Sequence, residues 1–588
     1  MFLRSKTRKK DGKVHRTFSV VENRRVPDGR VVQRHVLYLG EINDAQHHAW
    51  CKTIDVMDGA AGKTSQMAIF PEDRMALPMP CAVVQVRVKD MRLVRPRQWG
   101  ACWLALELWK QLDLDRFWAP RLMPSREGTR WLNVLKTLVA YRLIDPGSEW
   151  RLHRQWFDRS AMGDLLDEEV RIAQANTLYR CLDLLVEHKQ ALFSHLNERW
   201  ETLFRARFEV LLYDLTSTYF ECDAALEPAG LKRFGYSRDK RPDCVQVIIA
   251  LVVTPEGFPL AYEVMAGNTA DNTTLEGFVH KIQDQYGAAE RIWIMDRGIP
   301  TEAALQSLRA RSPAVRYLVG TPKGRLSALE REFLGRPWEH AREHVHVKLL
   351  ERDHEVYILA RSTDRLNKER AMRRRVLTRL IKRLHELRAQ ELTRDQVLMK
   401  LGAAKTEAGN VWWLLNIVPP PRDQPRMTNS VQFSINRQKL RHARLREGRY
   451  VLRSNLTATA PATLWSFYLQ LTEVEQAFKE LKTDLSVRPI YHQLDRRIEA
   501  HIFVAFLAYC LQVTLKARLR PLAGGLTPRS VLEKFAGIQM LDVHLPLTDG
   551  RALTLTRYTE PEKEHQLLLQ HLHLTLPCQP PPRISVPS

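Results

Sequence analysis

Three carboxylates stand where they would do chemistry together. In Phe208-Glu-Val-Leu-Leu-Tyr-Asp-Leu-Thr-Ser-Thr-Tyr-Phe220 an apolar run ends in Asp214, and in Arg291-Ile-Trp-Ile-Met-Asp-Arg-Gly298 another ends in Asp296. Glu475 recurs with Tyr468, Phe478 and Lys482 at steps of seven, three and four, the spacing of one helical stripe. A carboxylate on a mostly apolar stripe is unusual, because buried carboxylates are rare unless paired. Hard oxygen ligands of this kind hold Mg²⁺ or Mn²⁺ and leave positions open for water and phosphate oxygens. Two such ions ~3.5–4 Å apart activate an attacking oxygen and stabilise the leaving one in an in-line phosphoryl displacement. Each carboxylate taken alone also reads as a cap or a surface group; the argument rests on all three.

The elements that must position them follow from periodicity. Both aspartates end β-rich runs and so sit at the edge of a sheet. Between them come apolar strands at Cys244–Val253 and Pro259–Val264, joined by the tight turn Thr254-Pro-Glu-Gly257, and then a helix reaching Tyr286. This order gives an α/β fold with a mixed sheet covered by helices. Residues 317–455 read as a mostly β insertion. It has strands at His344–Leu350, Val356–Ala360 and Val411–Val418 and one basic helical arm at Asp364–Leu392. His344 and His346 share a strand face, but no third ligand is near, which argues against a metal there. The Glu475 helix is expected as one piece over Pro461–Leu485, followed by an apolar helix at Ile498–Leu515 packed on the sheet.

Upstream, Lys13–Val21 and Arg30–Leu39 form a hairpin about Pro27-Asp28-Gly29, suited either to a DNA backbone or to solvated charge. From Trp99 to Phe204 the period is helical. The bundle reads equally as a helix-turn-helix DNA reader, with Arg151, His153 and Arg154 on its basic helix, or as a scaffold. Gly62-Lys63-Thr64 lacks the first glycine of a phosphate loop, since Met57 stands there. The boundaries are 1–95 for the hairpin and linker, 96–205 for the helical region and 206–316 for the first part of the core. The insertion spans 317–455, the second part of the core 456–520, and the C-terminal region 521–588, with a disordered tail at Pro577–Ser588.

At 588 residues the chain needs several cores, and its net charge of +23 suits a polyanion, above all nucleic acid. The 8 cysteines are scattered, with no Cys-x-x-Cys, so buried thiols in a reducing cytoplasm are expected rather than a zinc ribbon or disulfides. No stretch has the roughly 18 uninterrupted apolar residues of a membrane span, and a cytoplasmic location is expected.

An ordered set of motifs resembles the core of bacterial insertion-sequence DDE transposases. It comprises Tyr213-Asp-Leu-Thr-Ser-Thr-Tyr-Phe220, Gly235-Tyr-Ser-Arg238 with Arg241-Pro-Asp243, Gly257-Phe-Pro-Leu260, Gly267-Asn268 with Asp271, and Met295-Asp-Arg-Gly298. Tyr468, Glu475 and Lys482 are similar to the Y-R-E-K signature of the IS-four superfamily; Leu471 stands in the arginine slot, and Arg488-Pro-Ile-Tyr-His492 follows. The resemblance covers about residues 208–515. It implies a ribonuclease-H-like core with a β insertion before the last glutamate. Asp214, Asp296 and Glu475 would be the catalytic ligands of two Mg²⁺ or Mn²⁺ ions. Tyr468, Lys482 and Arg297 would contact DNA, with Lys479 or Arg488 replacing the missing arginine. Trp412 or Trp413 would stack on a flipped base or, as strand residues, belong to the core. The implied partners are double-stranded DNA, as terminal inverted repeats and target, and a second copy of the chain in a homodimeric synaptic complex. A ribonuclease-H-like nuclease without strand transfer and a catalytically silent DNA-binding descendant are the alternatives.

Overall fold

Val210–Tyr219 is the strand that carries Asp214, in its middle rather than at its end, and Leu211, Leu212, Tyr213 and Leu215 fill the buried positions of a pleated sheet. It pairs antiparallel with Gln246–Val253, Asp214 opposite Leu251, and that strand pairs antiparallel with Pro259–Ala266. Gly257 turns the second pair at φ +96°. The computed structural model describes residues 1–10, 13–25, 31–60, 84–221, 230–287, 291–296, 298–321, 329, 332–333, 336–342, 345–419, 426–427, 431–457 and 459–585. Pro27-Asp28-Gly29, Gly62-Lys63-Thr64, Arg297, His344 and residues 420–425 lie outside them.

The chain has an α/β architecture, with mixed sheet and flanking helices as in a ribonuclease-H-like fold with insertions, and it divides into two units. The first contains Met1–Thr7, Arg16–Arg291 and Gln470–Ser588. Here Lys13–Arg25 pairs with Val31–Gly40 as the expected hairpin, and Phe2–Lys10 adds a third strand. Helices Gly100–Gln111, Trp131–Ile144 and Ala175–Leu182 pack against Asp495–Leu519, whose Ile498–Leu515 stretch is almost wholly buried. The length and hydropathy of Asp495–Leu519 would suit a membrane, but it is a core helix; its Tyr509 donates to Gly257 O at 2.8 Å. Arg92–Gln98, expected as the end of the linker and the first residues of the helical region, is instead an edge strand beside Gln539–Pro546. Buried Arg97 holds it there through Asp542 at 3.1 Å and Asp164 at 2.8 Å. The tail expected to be disordered departs from that reading too. Arg583–Ser585 pairs with Ala552–Tyr558, and Gln579 accepts from Tyr558 N at 3.1 Å. Extended, proline-spaced backbone is free to extend a sheet edge.

The second unit contains Arg8–His15 and Ile292–Leu469. Ile292–Met295 runs parallel to Arg316–Thr321, connected by the helix Glu302–Ala310, and the sheet continues through Arg449–Ser454, Glu355–Ser362, Val345–Arg352 and Glu339–Arg342. The insertion is more helical than its sequence suggests. Thr363–Arg388 and Arg394–Ala408 pack into an apolar cluster of Leu380, Leu384, Leu387, Val397 and Leu401, and a further helix spans Arg437–Arg446. Trp412 and Trp413 are not strand residues: Gly409–Leu414 is a 3₁₀ turn, and the strand starts at Leu415. The Glu helix is also not continuous. Pro461–Leu469 ends before Gln470, Leu471–Lys479 follows, and Glu480–Asp484 widens to a π turn.

Candidate catalytic site

Asp214 is half-buried between buried Tyr213 and Leu215, and its Oδ1 accepts from Leu215 N at 2.8 Å. Tyr213 locks the strand underneath: its hydroxyl is 2.7 Å from Thr274 Oγ1, and burial pushes its pKa up. Leu471, Val474, Ala477 and Phe478 are the buried face of the next element, and they seat the helix Leu471–Lys479 against the Asp214 strand and its neighbour Gln246–Val253. Glu475 lies outside that buried face. It is exposed, not part of a buried stripe, and so meets no desolvation cost. Asp296 follows its strand directly in the second unit and is exposed, and Tyr468 lies on the second unit's last helix.

A polar frame surrounds the end of the Asp214 strand. Ser217 Oγ accepts from Arg238 N at 3.2 Å, and Arg238 bonds Asp271. Gly235 and Gly267 allow the chain to close here: a Cβ on Gly267 would stand 2.0 Å from Gln246 O. The buried carboxylate of Asp239 takes Lys482 Nζ at 2.8 Å and also pairs with Arg488. Burial lowers the Lys482 pKa, against the pull of Asp239. Asp239 carries no periodicity of its own; only its place in the Gly235–Asp243 loop marks it. Lys479 faces elsewhere, into a cavity of about 800 Å³ lined by Phe204, Glu473, Glu480 and Lys516. Leu471 is a buried anchor of its helix. In the second unit Trp412 packs on the Leu380 cluster, whereas Trp413 is 55% exposed with Lys405 Nζ 5.0 Å from its ring centre.

Glu149, His492 and His501 form a second group, buried and able to coordinate a metal ion, with ligand atoms within 4.8 Å of one another. His492 Nε2 and His501 Nδ1 each lie 3.5 Å from Glu149 Oε1. Mixed imidazole and carboxylate donors suit a borderline ion such as Zn²⁺ better than Mg²⁺. Arg142 supplies positive charge 3.5 Å from Glu149. Burial alone would raise the Glu149 pKa, but His492, His501 and Arg142 hold it well below the usual carboxylate range. Burial and Arg142 push His501 down to about 4. Nothing in the local sequence marks Glu149 or His501; they meet only through the packing of the helices.

The family model for the transposase DDE domain matches residues 217–511, half of the chain, starting three residues after Asp214 and including Asp296 and Glu475. The chain therefore belongs to the DDE transposases. Its N-terminal residues 3–58 match the N-terminal domain of IS1634 family transposases, which makes the architecture IS1634-type. No curated protein matches the chain. Among solved structures, a piggyBac transposase synaptic complex with hairpin DNA is similar at 9% identity and a TM-score of 0.32, over 74% of this chain and 76% of that one.

Proposed function

We propose that this chain cuts DNA at the ends of an insertion sequence and joins the freed 3′-hydroxyls to target DNA, as an IS-four superfamily transposase of the Y-R-E-K type. The observation that carries the reading is the seating of the Glu475 helix on the Asp214 strand with Glu475 facing outward, in a chain of the DDE family. The donors fit Mg²⁺ or Mn²⁺: all are hard carboxylate oxygens, half-buried at Asp214 and exposed at Asp296 and Glu475, so water and phosphate have access. Asp214, Asp296 and Glu475 would hold two such ions, which when bound supply activation of the attacking oxygen and charge neutralisation at the phosphate.

The chain's own side chains bind and orient the DNA. Lys482 and Arg488 grip phosphates of the element end, and Asp239 sets both cations in place beforehand. Because Arg488 shares Asp239 with Lys482 while Lys479 faces a separate cavity, Arg488 takes the phosphate contact vacated at Leu471. Tyr468 and Arg297 add contacts along the strand. Exposed Trp413 offers a stacking surface for an unpaired base, worth ~1–3 kcal/mol, with Trp412 as its apolar footing. Two copies of the chain hold two ends. The test is a strand-transfer assay with pre-cleaved ends, a target plasmid and Mg²⁺: joined products are expected, and hydrolysis without joining would instead mark a nuclease.

A further inference from the structure

The helix Arg437–Arg446, Arg-Gln-Lys-Leu-Arg-His-Ala-Arg-Leu-Arg, buries none of its residues. A helix polar all round gains little from packing, and its like charges at Arg437 and Arg441, four residues apart, repel. The helix Thr363–Arg388 is basic too, but five of its 10 Lys and Arg side chains pair with carboxylates, Lys382 with Glu386 among them. There Arg365 pairs with Glu369 at 2.8 Å, Arg370 and Arg373 pair with Glu447, and Arg383 pairs with Glu407. Arg437–Arg446 contains no acid, and among the described residues Arg437, Lys439, Arg441 and Arg444 have no carboxylate partner. The helix is nonetheless held firmly. Asn436 caps it by accepting from Lys439 N at 2.9 Å and is tied to Asn416 Oδ1 at 3.0 Å, and Leu440 and Ala443 are half-buried on the side packed against the Gly409–Leu414 turn. Lys439 Nζ lies 6.0 Å from the ring centre of Trp413, which places the exposed indole beside this helix.

Resting on the transposase reading, we propose that Arg437–Arg446 is a DNA-backbone-binding helix of the second unit, contacting the duplex through residues other than those assigned to end cleavage. Arg437, Arg441 and Arg444 recur at i, i+4 and i+7, so they form one stripe about 10 Å long. Such a rigid, uncompensated stripe fits a phosphate backbone and carries no base-reading geometry, so the contact is sequence-independent.

The test uses the full chain with Arg437, Arg441 and Arg444 all changed to Gln, a good helix former. Affinity for an element-end duplex and for a scrambled duplex is measured across a salt series. Each lost phosphate contact lowers the slope of log K against log salt by about 0.9. The expected result is a slope smaller by about 2–3 and an equal loss of affinity, on the order of tenfold or more, for both duplexes. Should the triple variant not fold, as judged by its thermal melt, Arg441→Gln alone is expected to lower the slope by about 0.9. Unchanged slope and affinity, with wild-type protein still binding and cleaving ends, would overturn this inference and leave the transposase reading standing. Wild-type protein that binds no DNA would overturn both. Helix-dependent binding to phosphatidylserine vesicles in place of duplex DNA would also overturn it.

Discussion

Asp239 neutralises two cations at once, and on the proposed reading it positions both for DNA. Lys482 is mostly buried, and its pKa is already lowered by that burial; only Asp239 favours its charged form. Replacing Asp239 by Asn should therefore lower the Lys482 pKa further and leave both Lys482 and Arg488 without their carboxylate anchor. Affinity for element ends is expected to fall about tenfold, or ~1.4 kcal/mol, and titration calorimetry showing unchanged affinity would contradict this. The Glu149 cluster makes a pH prediction. His501 has a folded pKa near 4 against an ordinary value of 6.5, so the unfolded chain takes up a proton that the folded chain refuses. Its stabilisation is full above pH 6.5 and is lost as pH falls toward 4. Glu149, also depressed, adds a further loss below its ordinary value of 4.5. In chelator-treated protein the thermal midpoint should drop between pH 6.5 and 4, and His501→Gln should flatten that drop. An equal drop in both proteins would remove the cluster from the account.

Among the elements, the second unit's sheet is braced by an ion pair that no sequence pattern announces. Buried Glu355 meets Arg453 and also takes Arg309 at 2.8 Å, while Arg453 reaches Glu302 at 2.6 Å. Glu355→Ala leaves the buried Arg453 Nε and the Tyr317 hydroxyl without their acceptor while Glu302 still holds the guanidinium, at a cost of about 1–3 kcal/mol. Limited proteolysis should then cut residues 292–469 at a lower temperature than in wild type, and equal resistance would argue against a structural role. Strands such as Val210–Tyr219 and Gln246–Val253 were legible because long β-branched and aromatic runs bury on both faces. The break at Gln470 was not, since no Pro or Gly marks it and both flanking segments keep a helical period. Trp412 and Trp413 misled for a related reason: the apolar run Val411–Val418 has strand composition, but Gly409 at φ +52° opens a 3₁₀ turn before it. Of the site, Asp214 and Glu475 were legible as residues, while the outward direction of Glu475 and the link through Asp239 depended on tertiary packing.

For the molecule as a whole, the net charge of +23 is unevenly used. Some of it is consumed internally, as at Arg97, Arg142 and Arg453, and some, at Arg437, Lys439, Arg441 and Arg444, has no carboxylate partner among the described residues. A synaptic complex needs two chains for two ends, so sedimentation with paired-end DNA should show a dimer; monomers alone on paired ends would contradict that assembly. In the proposed reading Asp214, Asp296 and Glu475 act as one metal-dependent centre. The most direct measurement is cleavage of element-end DNA by Glu475→Gln, which keeps the size and exposed position of the side chain but removes its charge. We predict loss of Mg²⁺-dependent cleavage with end binding retained, and wild-type cleavage by this variant would contradict the account.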